Sequence, residues 1–304
     1  MKRRILVIVN PHASAVSSAI RSLVIGGLRT RFEVVERSTE AAGHAEEIAN
    51  DAAAQGIDAV VALGGDGTAN EVANGLGGST VPLICLPAGS ASVFCGAIGV
   101  PRDLVLATRQ LLDRADDWQV RNVDVGLVNG RRFLFNSGVG LDARVVEGVD
   151  ARPDLKARWR QWWFMAQATR TLGREYTVKP PQVRIDHGQQ TTIGIVAIVQ
   201  NAQPWTYFGS HRISVSTTAG LDTGTLSATV VKRPRPWDVP TLALRAFSQR
   251  GVEGQSRVAT VDATNFSVSA FETSTVALHV DGDHIGDVTK AHYSVDAGGL
   301  AIIV

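Results

Sequence analysis

The chain has 304 residues, of which 44% are hydrophobic and 19% are charged, and its formal net charge is +1. A chain of this length normally folds into two domains, and a nearly neutral charge excludes the basic surface that nucleic-acid binding requires. No run of about 18 apolar residues is present, so the sequence predicts no transmembrane segment. Two cysteines, Cys85 and Cys95, are too few for a disulfide framework and predict buried free thiols in a reducing cytoplasm.

The first part of the chain, residues 1–118, alternates strand-like and helix-like runs. The strand-like runs are Ile5–Val9, Phe32–Arg37, Ala59–Leu63 and Pro82–Leu86. The helix-like runs are Ser17–Leu28, Gly43–Gln55, Thr68–Leu76 and Leu104–Asp113. Strands that alternate with helices predict βαβ units and a mostly parallel sheet.

The pattern changes to short alternating strands over residues 119–290. These runs are Phe133–Asn136, Val183–Ile185, Gly194–Val199, Leu226–Val231, Asn265–Ala270 and Val276–Val280. Their lengths and the turn residues between them predict an antiparallel β-sandwich. The sequence thus predicts an α/β domain followed by a β domain.

A glycine-rich segment, Leu63–Leu76, follows the third strand-like run. Gly64, Gly65 and Gly67 allow a tight turn and a close approach of the backbone to a ligand. Thr68 and Glu71 have the Thr-x-x-Glu spacing of a capping box, which predicts that a helix begins there. Backbone N–H groups and the positive end of a helix dipole would meet at this loop, which predicts a phosphate-binding site.

Asp66 lies inside this loop, and its carboxylate would repel a phosphate unless a divalent cation lies between them. The sequence therefore predicts Mg²⁺ at Asp66. The alternative is a plain βα turn with an ordinary helix cap, but the strand before the loop and the helix after it favour phosphate. The chain has no G-x-x-x-x-G-K-[ST] motif, and a G-x-G-x-x-A match at Gly138–Ala143 is interpreted as a tight turn.

Leu155–Gly173 interrupts the strand pattern with a helical composition that is rich in tryptophan and arginine. Trp159, Trp162 and Met165 recur at helical spacing on one face. Tryptophan beside basic side chains is typical of a helix at a membrane interface. An ordinary helix that packs its aromatic side chains on the sandwich is equally compatible with the residues alone. Pro204–Phe208 is a weaker candidate for the interfacial role.

Two carboxylates, Asp281 and Asp283, follow the strand-like run Val276–Val280. If that strand continues, both lie on the same face, about 7 Å apart. Such a pair suits phosphoryl transfer, in which one carboxylate accepts the proton of the attacking hydroxyl. The alternative is an Asp-Gly-Asp turn between two strands, and the residues alone favour this turn. His279, on the polar face near these acids, is the histidine that merits a test.

Several short motifs follow one another along almost the whole chain. They are Val9–Pro11, Thr39, Gly64–Glu71 (GGDGTANE), Leu86–Ser90, Asp124–Gly126, Phe135–Gly140, Asp222–Leu226 and Val280–Asp283. Their content and order resemble the diacylglycerol kinase-like lipid kinases, a family that includes bacterial diacylglycerol kinases and sphingosine kinases. The GGDGT element alone is shared with NAD kinases, so the ordered set carries the resemblance.

The resemblance implies an NAD kinase-like α/β nucleotide-binding domain at 1–118 and a β-sandwich lipid-binding domain at 119–290. It also implies that residues 291–304 can return to the first domain as a strand. ATP and Mg²⁺ are the implied cofactors. The implied nucleotide-binding residues are Asn10, Pro11, Thr39, Gly64, Gly65, Asp66, Gly67, Thr68, Asn70, Glu71, Gly89 and Ser90.

The resemblance also implies roles for the acids. Asp66 is implied in catalysis at the reacting phosphates. Family members have Asp-Gly-Glu with the last acid as general base, which corresponds to Asp283, one methylene shorter, so the choice between Asp283 and Asp281 stays open. Some members bind a structural Mg²⁺ at an Asp-Asp-Gly turn, and its counterpart, Asp222–Gly224, lacks the second carboxylate. A metal at Asp222 is therefore weakened or absent. Gly89–Ser92 likewise lacks the asparagine that the family has at its end.

The sequence as a whole predicts a cytoplasmic enzyme, peripherally associated with the inner face of the membrane, that transfers the γ-phosphate of ATP to a lipid hydroxyl. Diacylglycerol is the default acceptor, with a sphingoid base or another lipid alcohol as alternatives. A kinase of the NAD kinase type with a soluble substrate stays open, as does a nucleotide-binding protein without transfer activity. The predicted partner is a lipid at a membrane surface, not a nucleic acid, and a homodimer stays open.

Overall fold

The computed structural model describes residues 2–13, 17–150, 182–233 and 238–304. The tryptophan-rich segment Leu155–Gly173 therefore lies outside the described residues. Within the described ranges, no helix is both long and apolar enough to cross a membrane. The chain divides into two compact units: unit 1 contains Met1–Asp124 and Ala297–Val304, and unit 2 contains Val125–Asp296.

Unit 1 alternates parallel strands with helices. Its strands are β1 (Arg4–Val9), β2 (Glu33–Ser38), β3 (Ala59–Gly64) and β4 (Leu83–Pro87). Its helices are α1 (Ser18–Arg31), α2 (His44–Asn50), α3 (Asp66–Gly75), α4 (Val93–Ala97) and α5 (Leu104–Asp113). The strands pair in the order β2-β1-β3-β4, all in parallel, which is an open α/β sheet.

Burial explains the hydrophobic runs of this sheet. Residues Ile5–Val9 of β1 and all of β3 are buried, as expected for parallel strands that are covered on both faces. Helix α1 begins where the Ser17 hydroxyl accepts the N–H of Ile20, and α5 begins where the Asp103 carboxylate accepts the N–H of Leu106. Local caps therefore set the start of two helices that cover the sheet.

Unit 2 is built from antiparallel strands. The strands are β5 (Val120–Val128), β6 (Arg131–Phe133), β7 (Asn136–Gly140), β8 (Gln182–His187), β9 (Gln190–Gly194), β10 (Val196–Gln200), β11 (Thr206–Phe208), β12 (His211–Ile213), β13 (Leu226–Val231), β14 (Val258–Ala263), β15 (Asn265–Phe271), β16 (Val276–Val280), β17 (Asp283–Val288) and β18 (Lys290–Ile303). Among the described residues of this unit, the helices are α6 (Leu141–Asp150) and α7 (Val239–Phe247). The last strand, β18, contributes to both units, and its Ile302 pairs in parallel with Leu83.

Two sheets enclose the core of unit 2. One has the strand order β14-β13-β10-β7-β16-β17, and the other contains β18-β15-β8-β9. Val139 and Val280 of the first sheet share one buried cluster with Phe266 and Tyr293 of the second. The rings of Phe266 and Tyr293 stack with centroids 5.2 Å apart, and burial raises the pKa of Tyr293 above its usual range. The fold class predicted from the sequence, an α/β domain with an antiparallel sandwich, is confirmed.

Some local predictions were wrong. Gly138–Ala143 is not a tight turn: β7 ends at Gly140 and α6 begins at Leu141. Gly140 has φ +92°, a conformation that glycine adopts without steric cost, which lets the strand pass directly into the helix. Helix α2 ends at Asn50, not at Gln55. Cys85 and Cys95 are buried free thiols as predicted, and the pKa of Cys95 is raised by its hydrogen bond with Cys85 and by burial.

The junction of α2 with α3 yields a stability prediction. A Cβ at Gly75 would overlap the backbone oxygen of Glu46, whereas a Cβ at Gly26, within α1, would meet nothing within 4 Å. Gly75→Ala should lower the free energy of unfolding by about 1–3 kcal/mol through overpacking. Gly26→Ala should raise it by about 0.5–1 kcal/mol through helix propensity. Urea denaturation measures both, and equal effects of the two alanines would contradict the close contact between α2 and α3.

Candidate functional site

The predicted nucleotide-binding residues of unit 1 gather at the carboxyl edge of the parallel sheet. Asn10 follows β1, Thr39 follows β2, Gly65 follows β3 and Gly89 follows β4. Asn10 donates its backbone N–H to Leu63 at 3.0 Å, and Thr39 donates to Val9 at 2.9 Å, so each loop is anchored to a strand. The carboxyl edge is where open α/β sheets bind ligands.

The loop after β3 differs from its predicted geometry. Helix α3 begins at Asp66 with Gly65 as its N-cap, two residues before the predicted start, so the capping-box prediction was wrong. The Thr68 hydroxyl instead accepts a hydrogen bond from the Asn10 side-chain amide at 3.2 Å. The carboxylate of Glu71 accepts the backbone N–H groups of Gly43 at 2.9 Å and Ala45 at 3.1 Å. Glu71 therefore holds the start of α2 rather than of its own helix.

A glycine N-cap leaves no side chain over the N-terminus of α3. Helix α3 has 10 residues, so its first-turn N–H groups carry the positive end of an established helix dipole. Side chains at Gly64 or Gly65 would intrude here: a Cβ at Gly64 would overlap the Thr68 side chain. This helix terminus has the geometry of an anion site built from backbone N–H groups.

The loops after β3 and β4 pack backbone against backbone. A Cβ at Gly89 would lie 2.7 Å from the Cα of Gly65, so a side chain there would force the loops apart. Ala88 donates its backbone N–H to the Gly64 carbonyl at 2.7 Å. Ser90, next in the second loop, is exposed. The two glycine-containing loops therefore form one continuous surface.

Asp66 links these loops through its side chain. Its two carboxylate oxygens accept the backbone N–H groups of Val93 and Phe94, each at 3.0 Å. These are the first residues of α4, whose N-cap, Ser92, has φ +47° and gives no side-chain cap. Asp66 thus caps α4 from the neighbouring loop.

The donor set of the described ranges can be tested for a metal ion. No group of three or more His, Cys, Asp or Glu side chains that could hold a metal occurs among the residues described. Mg²⁺ commonly binds one or two carboxylates together with substrate phosphates and water. Asp66, half-buried at the loop, fits a Mg²⁺ held mainly by nucleotide phosphates. Asp222, the other predicted metal ligand, is exposed in unit 2, in a turn where Gly224 has φ +67°.

The acids of unit 2 lie in a hairpin. Strand β16 ends at Val280 and β17 begins at Asp283, so the strand does not continue through both acids, and the Asp-Gly-Asp turn that the residues alone favoured is present. Val280 pairs with Asp283 across the turn, and Asp281 and Gly282 have φ +48° and +84°. Two positive φ angles in a two-residue loop are typical of the type I′ turn, which Asp-Gly favours.

Asp281 is buried and bound by the backbone. Its carboxylate accepts three backbone N–H groups, those of Leu134 at 2.7 Å and of Phe135 and Asn136 at 3.0 Å. Its own N–H donates to the Asn136 carbonyl at 2.8 Å. Asp281 therefore holds the segment that leads into β7. Asp283, by contrast, is exposed at the start of β17, where a substrate can reach it.

A buried histidine–aspartate pair lies beside this hairpin. The Nε2 atom of His279 lies 2.8 Å from an Asp142 carboxylate oxygen, and the two side chains are only 3% and 9% exposed. Gly138 leaves the space for the pair, since a Cβ there would overlap both side chains. The Nδ1 atom of His279 has no hydrogen-bond partner in the described part of the chain. Asp142 was missed from sequence, although its place after two closely spaced glycines was a usable signal.

The two hairpin acids should differ in their effect on stability. Asp281→Asn replaces one acceptor oxygen by an NH₂ group that faces backbone donors, so the free energy of unfolding should fall by about 1–3 kcal/mol. Asp283→Asn, at an exposed position, should change it by less than about 0.5 kcal/mol. Urea denaturation compares the two variants. If Asp281→Asn loses no more stability than Asp283→Asn, Asp281 does not hold the segment that leads into β7.

Comparisons with known proteins agree with this geometry. Residues 4–128 match the family described as the diacylglycerol kinase catalytic domain. The chain is 25% identical over 257 residues to a protein of Bacillus subtilis named "Diacylglycerol kinase", which covers 84% of this chain and 80% of the relative. It is 34% identical over 157 residues to a protein of Pseudomonas syringae pv. tomato named "Probable lipid kinase YegS-like", which covers 51% of this chain and 49% of that relative.

A solved structure shows the same fold. The crystal structure of a diacylglycerol kinase from Bacillus anthracis superposes with a TM-score of 0.70 at 20% identity and covers 99% of this chain and 96% of that one. The family match and the curated relatives go beyond the fold, because they are similarities of sequence. Residues 4–128 therefore match the catalytic domain of diacylglycerol kinases, and the relatives named as diacylglycerol kinase and lipid kinase support a kinase, which is a phosphotransferase.

Proposed function

We propose that this protein transfers the γ-phosphate of ATP to the hydroxyl of a lipid, with diacylglycerol as the default acceptor. The observation that carries the proposal is the anion site of unit 1. There the N-terminus of α3, which has no side-chain cap, lies beside the backbone contact between Gly65 and Gly89. Phosphate groups are the natural occupants of such a site. A kinase takes its phosphate from a nucleotide, and the match of residues 4–128 to a kinase catalytic domain therefore supports ATP as the occupant.

In the proposed nucleotide site, backbone groups and side chains have different roles. N–H groups at the start of α3 bind phosphate oxygens, while Asn10 orients the loop through its bond to Thr68. Asp66 holds α4 and keeps the second loop, with Ser90, against the first. Mg²⁺ bound with the nucleotide neutralises charge on the phosphate oxygens during transfer. Asp66 is its protein ligand in this proposal.

The acceptor hydroxyl needs a base, since a lipid alcohol is a poor nucleophile near neutral pH. Asp281 is occupied by three backbone N–H groups, and its side chain is buried. Asp283 is exposed on the same hairpin and can accept a proton from a bound substrate. We assign the general base to Asp283, and Asp281 to holding the hairpin in place.

The proposal includes a location. A kinase whose acceptor is a bilayer lipid works at the membrane surface, so we propose peripheral association with its inner face. The tryptophan-rich segment Leu155–Gly173 has the composition for this contact. Among the described residues, no helix could span a membrane.

The reaction is tested directly with γ-labelled ATP. Purified protein is incubated with Mg²⁺, labelled ATP and, separately, diacylglycerol, a sphingoid base, a mixed lipid extract and NAD. We expect label in the lipid phase, greatest with diacylglycerol. Label transferred to NAD alone would assign a soluble-substrate kinase. No transfer to any acceptor would leave a nucleotide-binding protein without kinase activity.

Asp283 is tested by removing its basicity without changing its shape. Asp283→Asn should lower kcat by about 10²–10⁴ while ATP affinity is unchanged, because only proton acceptance is lost. Asp283→Glu introduces the family's usual residue, and its kcat shows whether the shorter side chain of aspartate limits the rate. Asp51→Asn, at an exposed carboxylate of unit 1, is the charge-matched control. Full activity of Asp283→Asn would exclude this residue as the base.

Asp66 is tested by the same isosteric change. Asp66→Asn puts an amide NH₂ against the N–H of Val93 or Phe94, which should release α4 and weaken ATP binding at least about tenfold. Turnover should fall as well, because the carboxylate near the phosphates is lost. Asp103→Asn is the matched control, since it also caps a helix in unit 1 and asparagine caps equally well. Unchanged ATP affinity and turnover in Asp66→Asn would remove this residue from the nucleotide site.

A further inference from the structure

An apolar and basic surface lies on unit 2. Helix α7 exposes Leu244 to 70% and Phe247 to 43%. The β11–β12 hairpin adds Phe208, whose ring meets that of Phe247 edge to face with centroids 6.2 Å apart. We call these residues, together with the exposed Arg212 and Arg250, the α7 surface.

The opposite face of α7 is firmly packed. Leu242 and Ala246 pack against a buried cluster that contains Ile198 and Val215. The Ala246 carbonyl accepts the backbone N–H of Ser214 at 3.0 Å. Because contacts of this inner face hold the helix in one orientation, Leu244 and Phe247 lie on its outer face and are exposed. The two residues are three apart and so lie side by side on the outer face.

The segments that form this surface are basic, although Asp238 directly precedes α7 and Glu253 follows Arg250 by three residues. The whole chain has 30 Lys and Arg against 29 Asp and Glu, which is nearly balanced. Residues 204–213 and 239–250, which contain the hairpin and the helix, have Arg212, Arg245, Arg250 and His211 but no acidic residue. Arg245 donates to the carbonyls of Gly251, Arg250 and Glu253, whereas Arg212 and Arg250 are exposed. The surface thus combines exposed apolar groups with cations.

We propose that the α7 surface is where this protein contacts a bilayer with anionic headgroups. Leu244, Phe247 and Phe208 enter the interface, where amphipathic helices bury their apolar side chains. Arg212 and Arg250 lie at the level of the lipid phosphates, which attract basic side chains. The inference rests on the proposed function, since a lipid kinase must meet a substrate held in a membrane.

A bilayer fits this surface better than a protein partner does. A stable protein interface buries about 800 Å² on each side and is depleted of charge at its centre. Here the helix exposes only two large apolar residues within the described range, and the same segments carry the exposed Arg212 and Arg250. Insertion of few apolar groups with electrostatic attraction to anionic lipid is the usual basis of peripheral membrane binding.

The test is sedimentation of the full chain with vesicles of phosphatidylglycerol and phosphatidylcholine, compared with phosphatidylcholine alone. Wild-type protein should bind the anionic vesicles, and binding should weaken at high salt as charges are screened. The double variant Leu244→Gln, Phe247→Gln should bind them at least about tenfold more weakly. Leu23→Gln is the matched control, because Leu23 is 67% exposed on a helix of unit 1.

A second readout separates this inference from the proposed function. On a short-chain diacylglycerol dispersed in water, the double variant should keep the wild-type kcat, which also shows that it is folded. Vesicle binding that is unchanged in the double variant, or lost equally in Leu23→Gln, overturns the α7 surface while the kinase assignment stands. Wild-type protein that phosphorylates no dispersed lipid overturns the proposed function, whatever its vesicle binding.

Discussion

The close approach of two backbone segments, at Gly65 and Gly89, is the constraint on which the proposed nucleotide site depends. A Cβ at Gly89 would lie 2.7 Å from the Cα of Gly65, so no other residue at position 89 lets the loops meet. That contact brings the uncapped start of α3 beside the loop after β4. The Ala88–Gly64 backbone hydrogen bond and the Asp66 carboxylate then hold the two loops in register. The shape of the anion site thus comes from backbone, which offers N–H groups that side chains would cover.

Three carboxylates in the sequence motifs each hold a neighbouring segment by accepting backbone N–H groups. Glu71 accepts two N–H groups at the start of α2, Asp66 accepts two at the start of α4, and Asp281 accepts three before β7. An anion is a stronger acceptor than a neutral group, and each pair or triple of N–H groups would otherwise lack partners inside the protein. These acids therefore hold the loops of the two candidate sites, whereas Asp283 is exposed.

Unit 2 combines an apolar sandwich core with a small buried polar centre. His279 and Asp142 meet in space that only a glycine at position 138 provides, next to the hairpin that carries Asp281 and Asp283. Buried polar groups are costly unless paired, so this pair ties α6 to β16 in one arrangement. The orientation of α7, with its apolar outer face, follows from packing of its inner face on a separate cluster. The hairpin and the outer face of α7 thus each lie beside buried contacts that hold their elements in place.

The sequence by itself determined the elements and their classes, because hydrophobic periodicity is a local property. The buried runs of β1 and β3, the alternation with α1 and α5, and the change to short alternating strands all predicted the fold class correctly. Local spacing gave the wrong partner where a side chain bonds to a residue that is distant in sequence. The Glu71 carboxylate accepts the N–H of Gly43 rather than one at the start of its own helix. The Asp281 carboxylate accepts N–H groups of residues 134–136. The two glycines before Asp142 marked its position in the sequence, but they did not identify His279, 137 residues away, as its partner. Those contacts were decided by tertiary structure alone, since hydrogen bonds depend on which groups the folded chain brings within about 3 Å.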